Sequence, residues 1–441
     1  IKKMKYFTKI LFFLLILLFY IPSKGQDIQY ARMLLKQLTS EEFAGRSIAD
    51  SGIFKAAKFI EDQMQSNGIM PLAQLNNTYR QCFPMSASLL IKEVNVKLDD
   101  RELQLGKEYL AWPTAKSVQG NFDIKYISIN EKSDPEKIIK KITKAPNYFY
   151  FLDYSKAYLL KAKNKENYNK LKSLYYLSEP SPIGYILLDS SSFFYTAKSF
   201  SNINHQIIVL NAKKLQFEKP PQKIYTKYTV STQPNTEICN IIGYIPGKLY
   251  PDSFIVIGAH YDHLGKIADQ HFPGANDNAS GVTMLLDLAR EFAKSDIKPD
   301  YSLIFISFAG EEIGLLGSKY FTTYSPIELK KIKLMINLDM VGSGKEGISV
   351  VNAKANPTIF QKLQQINDEK KYVVDMRAGG SSCNSDHCPF DQLGIPAIFI
   401  FSRDRDYQYY HIPDDDFDKL PLDGYEGIFK LIYDYIMLLN K

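Results

Sequence analysis

Four continuous apolar runs constrain this chain more than any other feature of its sequence. Phe254–Gly258, Leu303–Phe308, Leu334–Leu338 and Ala397–Phe401 lack the in–out alternation of a half-solvated strand. Such runs suit strands buried on both faces, as in a parallel sheet covered by helices. Segments with helical spacing, Met284–Phe292 and Ile428–Leu439, fall between and after them. The alternation predicts an α/β fold, a mainly parallel mixed sheet flanked by helices, over residues 235–441. Residues 26–95 read as helix followed by extended chain, the N-terminal part of the same domain. There Ile53, Ala57, Ile60 and Met64 share one helical face, and Gly68 follows as a stop signal. Residues 96–234 differ: short β-type runs (Tyr148–Leu152, Gly184–Leu188, Ile207–Leu210) alternate with polar and proline punctuation. They predict an inserted, mostly β domain, with the lysine-rich stretch 161–172 as a solvated helical face.

The formal charge of +6 invites a nucleic-acid reading that does not survive inspection. Residues 1–25 contain five lysines and no acid, which leaves +1 for the rest of the chain. No basic footprint for a nucleic acid or a membrane surface remains. Those 25 residues have the layout of an export signal: lysines around Met4, an apolar run from Ile10 to Ile21, then Ser23-Lys24-Gly25 before Gln26. The apolar run is short for a spanning helix, which needs ~20 residues. The expectation is a chain exported to the periplasm or the medium, with no stable membrane anchor after cleavage. Export permits disulfides. Cys383 and Cys388 are close enough in sequence to pair, which leaves Cys82 with Cys239.

In an open α/β sheet, sites lie beyond the carboxyl ends of the strands. The first apolar run ends in Ala259-His260-Tyr261-Asp262-His263, the second runs into Gly310-Glu311-Glu312, and the third ends in Leu338-Asp339-Met340. A loop from Gly274 to Gly281 carries Asp277 and opens into a helix. After the last run a loop delivers Tyr410-His411-Ile412-Pro413-Asp414-Asp415. Carboxylates gathered on a buried rim need a compensating cation. Mixed imidazole and carboxylate ligands suit zinc or a similar divalent ion. The count suggests two ions per chain, one on His260 and Asp339, the other on Glu312 and His411, with Asp277 bridging. Two ions ~3.5–4 Å apart can activate a water and polarise a scissile carbonyl. Neighbouring side chains on extended backbone point apart. Glu312 can thus bind metal while Glu311 faces the water as general base. Asp262 is placed to orient His260 through its second ring nitrogen.

Together these motifs resemble the M28 family of co-catalytic zinc peptidases, over residues 26–90 and 237–441. The resemblance implies His260, Asp277, Glu312, Asp339 and His411 as zinc ligands, Glu311 as the base, and Tyr410 as a donor to the developing oxyanion. It implies a phosphorylase/hydrolase-like α/β fold and peptide substrates. Many secreted members carry a protease-associated (PA) domain before the first His, and residues 96–234 occupy that place, with matches at Gly184–Asp189 and Ile207–Asn211. The family does not use a residue like His263 as a ligand, so packing or a hydrogen bond is its expected role. His271 reads as a solvated loop residue. Ser385-Asp386-His387 resembles a segment at the family's substrate pocket. Ser381-Ser382 lack the strand–turn–helix of a nucleophile elbow.

Three functions follow. A secreted zinc aminopeptidase uses the whole ligand set. A glutaminyl-peptide cyclotransferase shares the fold but resembles a one-zinc site and typically has Trp before the last His; here that residue is Tyr410, and the single Trp is Trp112. A metal-free binding relative would have lost ligands, and none is missing. The choice between aminopeptidase and carboxypeptidase stays open at the level of sequence.

Overall fold

The computed structural model describes residues 26–48, 51–85, 88–189, 193–195, 203–233 and 235–439. The expected export segment, 1–25, lies outside them. The four apolar runs lie side by side in the parallel strands Tyr301–Phe308, Tyr250–His260, Ile332–Leu338 and Ala397–Ser402, in that spatial order. The first of these in the chain, Tyr250–His260, thus sits between the second and the third. Its carboxyl end is the switch point at which an α/β sheet opens a crevice. Antiparallel strands extend the sheet: Thr236–Ile245 beyond Tyr301–Phe308, and Ile348–Val351 beyond Ala397–Ser402.

The missing alternation has its cause in the two helical layers. Ile255, Ile257, Leu303, Phe305, Leu334 and Ile336 pack beneath helices Ile28–Leu38, Gly52–Ser66, Gly281–Lys294 and Tyr425–Leu438. On the other face Phe254, Val256, Ile304, Ile306 and Met335 pack with Phe321 and Phe390 of the short helices Leu316–Thr323 and Cys388–Gln392. Truncating one such side chain to Ala costs ~2–5 kcal/mol. Ile53, Ala57, Ile60 and Met64 are buried on the helix Gly52–Ser66, as their spacing predicted.

A second, eight-stranded sheet forms the inserted part. The chain enters it at Ser88, upstream of the expected boundary at 96, and leaves along Lys223–Gln233, the antiparallel partner of the entering strand. Val118–Ser128, Phe149–Asp153, Gly184–Leu188 and Gln206–Leu210 run parallel. Parallel neighbours need crossovers, and the helices Pro135–Lys144, Ala157–Lys163 and Lys165–Ser173 lie along them. The lysine-rich stretch is therefore helical. This module has its own core around Trp112, Phe151 and Tyr185. Cys82 and Cys239 stand opposite each other on the paired first-sheet strands that precede and follow the module, and they are disulfide-bonded. The hairpin Gly265–Ile267/Gln270–Phe272, just after His263, buries Ile267 and Phe272 in the module's core.

Candidate metal centre

The expected residues arrive from four strand ends and one loop. His260 is the last residue of its strand. Glu311 and Glu312 follow Tyr301–Phe308 in a turn that Gly310 opens at φ +72°. Asp339 follows Ile332–Leu338, and His411 lies on the loop after Ala397–Ser402. Asp277 comes from the loop before helix Gly281–Lys294, and the polar residues of that loop stitch it to the third strand end. Asn278 donates to the Leu338 carbonyl (2.9 Å) and accepts from the backbone of Gly281 and Met340. Asn276 accepts from Gly342 N, and Ser280 accepts from Val341 N (both 2.9 Å). Gly274 begins the loop at φ +59°, and a Cβ there would meet the Asp277 carbonyl at 2.2 Å, so only glycine fits.

These contacts bring two ligand groups together around one carboxylate. His260 Nε2 lies 3.4 Å from Asp277 Oδ1 and 3.5 Å from Asp339 Oδ1. His411 Nε2 lies 3.0 Å from Asp277 Oδ2 and 3.2 Å from Glu312 Oε2. The two oxygens of Asp277 thus face different groups: His260 and Asp339 on one side, Glu312, His411 and His263 on the other. All five expected ligands meet, and Glu311 and Tyr410 line the adjoining pocket with Met340, Asn384, Phe399 and Phe401.

The electrostatics describe a site short of positive charge. Burial alone would lower His260, but Asp339, Glu311 and Asp277 outweigh it and hold it well above the usual imidazole value. His411 is raised in the same way by Glu312 and Asp277. Burial pushes Glu311 well above the usual carboxylate value, and Glu312 beside it adds to the rise. Around these stand three further buried carboxyls, Asp262, Asp386 and Asp415, each raised mainly by burial. Buried carboxylates in such excess, with imidazole nitrogens converging on them, fit divalent cations with mixed nitrogen and oxygen ligands.

Two expectations change. Asp262 does not hold His260 with its carboxylate, which is 4.0 Å away; its backbone carbonyl does so, at 3.2 Å from Nδ1. The carboxylate is taken up by the turn, accepting from the backbone N–H of Glu311 (3.0 Å) and Glu312 (3.3 Å). His271 is not a solvated loop residue: it lies half-buried on a strand, and burial lowers it to about 4. Ser385, in the segment that resembles the family's substrate-pocket lining, donates to Asp339 Oδ2 at 2.7 Å. His263 has the expected hydrogen bond, from Nδ1 to Glu312 Oε1 at 2.7 Å. Cys383 and Cys388 are disulfide-bonded beside it all.

Sequence reasoning missed two supports. Arg46, fully buried, donates to the carbonyls of Leu38, Tyr261, Pro273 and Gly274 and so holds the strand end and the Asp277 loop together. Asp415 accepts from the backbone of Asn276 (2.8 Å) and Asp277 (3.1 Å) and from Tyr407 (2.5 Å). An Arg in a turn and an Asp in an acidic run carry no sequence signal of such roles.

The fold and the site define a class: an α/β protein with imidazoles and carboxylates gathered at the switch point of its sheet. Residues 240–436 match the profile of Peptidase family M28. Aminopeptidase YwaD of Bacillus subtilis is 30% identical over 223 residues, 48% of this chain and 47% of that protein. A probable zinc metalloprotease of Pyrenophora tritici-repentis is 41% identical over 212 residues, covering 40% of this chain and 48% of that protein. The chain spans about half the length of the curated relatives it matches. The fold is shared more widely. The aminopeptidase from Aneurinibacillus sp. strain AM-1 superposes with a TM-score of 0.63 at 21% identity, over 94% of each chain. A zinc aminopeptidase from Bacillus subtilis superposes with a TM-score of 0.64 at 19% identity, over 94% of this chain and 95% of that one.

Proposed function

We propose that this chain is an exported zinc aminopeptidase that removes amino-terminal residues from peptides, with two ions per chain. The observation that carries the reading is Asp277, whose two oxygens serve two ligand groups beside a pocket that Glu311 lines. The names of the relatives support the activity and the metal. The two disulfides support export. His260 and Asp339 would hold one ion, Glu312 and His411 the other, with Asp277 between. Zinc bound there would polarise the scissile carbonyl and make a water acidic near neutral pH. Glu311 takes the proton of the attacking water and returns it to the leaving amine. Burial raises the basicity of its carboxylate and suits it to that task. The Tyr410 phenol, on the same pocket wall, donates to the developing oxyanion. A pocket of ≈ 220 Å³ with Met340, Phe399 and Phe401 on its walls takes an apolar side chain. The second sheet stands as a PA-type insert against the site.

A panel of aminoacyl and amino-blocked chromogenic peptides, assayed on metal-depleted and zinc-restored protein, tests the reading. Zinc-dependent cleavage of free-amino substrates with Leu, Met or Phe is expected. Turnover confined to amino-blocked substrates with a free carboxyl terminus would make it a carboxypeptidase. Ammonia release from amino-terminal Gln without cleavage would make it a cyclotransferase.

A further inference from the structure

The two halves of the centre are braced from different places. His260 is held by a carbonyl two residues away and Asp339 by Ser385, both within the first sheet's own loops. His411 is held by the inserted module. Its Nδ1 lies 2.8 Å from the Tyr195 carbonyl, and Tyr195 N donates back to the His411 carbonyl at 2.9 Å. The pair of bonds fixes both the ring and the backbone of a residue that stands at φ +55°, a left-handed conformation that costs a non-glycine residue free energy. With Nδ1–H donating to Tyr195, the Nε2 lone pair is the one left for an ion.

The segment that does this is itself tied down. Trp112, 1% exposed at the end of strand Tyr109–Trp112, donates from Nε1 to the Phe194 carbonyl at 2.7 Å. Its indole packs on Phe194 (5.6 Å between centroids) and stacks on Tyr176 (5.2 Å, 25°). Phe194 faces Tyr410 and His411 at 6.4 Å, and the Tyr410 ring lies flat on His411 at 3.8 Å.

We propose that the inserted module is a working part of the metal centre: Tyr195 is the positioning residue for His411, and Trp112 fixes Tyr195 in place. The inference rests on the two-zinc reading above and assigns the module a role in the affinity of one ion only. Without the brace the His411 ring is free to turn and its backbone to relax. The ion on Glu312 and His411 then weakens while the ion on His260 and Asp339 does not.

The test is zinc titration of the full chain in competition with a chromogenic chelator, run on the unchanged protein and three variants. Trp112→Phe removes the Nε1 donor and keeps an aromatic ring. Tyr195→Pro removes the N–H that His411 accepts from. Ile142→Ala opens a cavity in the same module's core, far along the helix Pro135–Lys144, and controls for simple destabilisation. Loss of a group that hydrogen-bonds a metal-binding side chain typically weakens metal binding ~10–100-fold. That loss is expected for the second zinc equivalent of Trp112→Phe and Tyr195→Pro, with the first equivalent unchanged. Ile142→Ala should lower the melting temperature and leave both equivalents alone. In the unchanged protein Trp112, the single tryptophan, should change its emission only as the second equivalent binds. Equal second-equivalent affinity in Trp112→Phe and Tyr195→Pro overturns the inference, as does an equal weakening by Ile142→Ala. A protein that takes up only one zinc before any substitution overturns the two-zinc reading itself, and the two failures are told apart by that first titration.

Discussion

The His260 half and the His411 half of the centre use the same residue types and share Asp277, yet they are built differently. His260 ends a central strand hydrogen-bonded to parallel neighbours on both sides, and its supports come from adjoining loops of the same sheet. His411 sits on a loop, in a left-handed conformation, and depends on a segment more than two hundred residues earlier in the chain. A strand end in the middle of a sheet is positioned by many backbone bonds and needs little else. A loop ligand has no such frame and borrows one from whatever packs against it. The difference teaches where sensitivity should lie: changes in the module should reach the second half first.

The largest effect should come from a residue that braces neither half. Glu311→Gln should keep both ions, because every ligand is untouched, and should lower kcat by ~10²–10⁴ with little change in KM. Metal analysis beside steady-state kinetics checks this. Loss of zinc from that variant, with Glu312→Gln retaining it, would reverse the roles of the acid pair.

A smaller and one-sided effect is expected from Ser385→Ala, which removes the donor to Asp339 Oδ2. It should weaken the first zinc equivalent by ~10–100-fold and leave the Trp112 response to the second in place. If both equivalents weaken together, the halves are one coupled unit and the contrast between them fails.

The smallest effect on turnover belongs to Asp287, buried on helix Gly281–Lys294 away from the pocket. Burial raises its pKa from 3.8 to about 7. Because the folded value lies above the unfolded one, its contribution to stability is full below about pH 4 and is lost as pH rises through about 7. Asp287→Asn should flatten that slope and raise stability at pH 8 by about 1–3 kcal/mol. Thermal unfolding at pH 5 and pH 8 measures it, with Trp112 emission reporting on the module alone. A shift of both midpoints by the same amount would show that the sheets unfold as one unit.

The sequence by itself determined the first sheet and which side chains gather at its rim. Residues buried on both faces cannot alternate, so Phe254–Gly258 and its three counterparts were legible as parallel strands. Parallel strands present their carboxyl ends to one rim, so His260, Glu311, Glu312 and Asp339 were legible as neighbours before any geometry was known. What only the tertiary structure decided is how those side chains are held. The Asp262 carboxylate turned from His260 to two backbone N–H groups because the turn after Tyr301–Phe308 had donors to satisfy. Arg46 and Tyr195 act through backbone carbonyls, from turns and loops that only packing brings within reach of the site. Tyr195 supports through a carbonyl, which is common to every residue and leaves no mark in the sequence, and Arg46 and Asp415 support through side chains whose partners are distant in the chain, so these supports stayed unread.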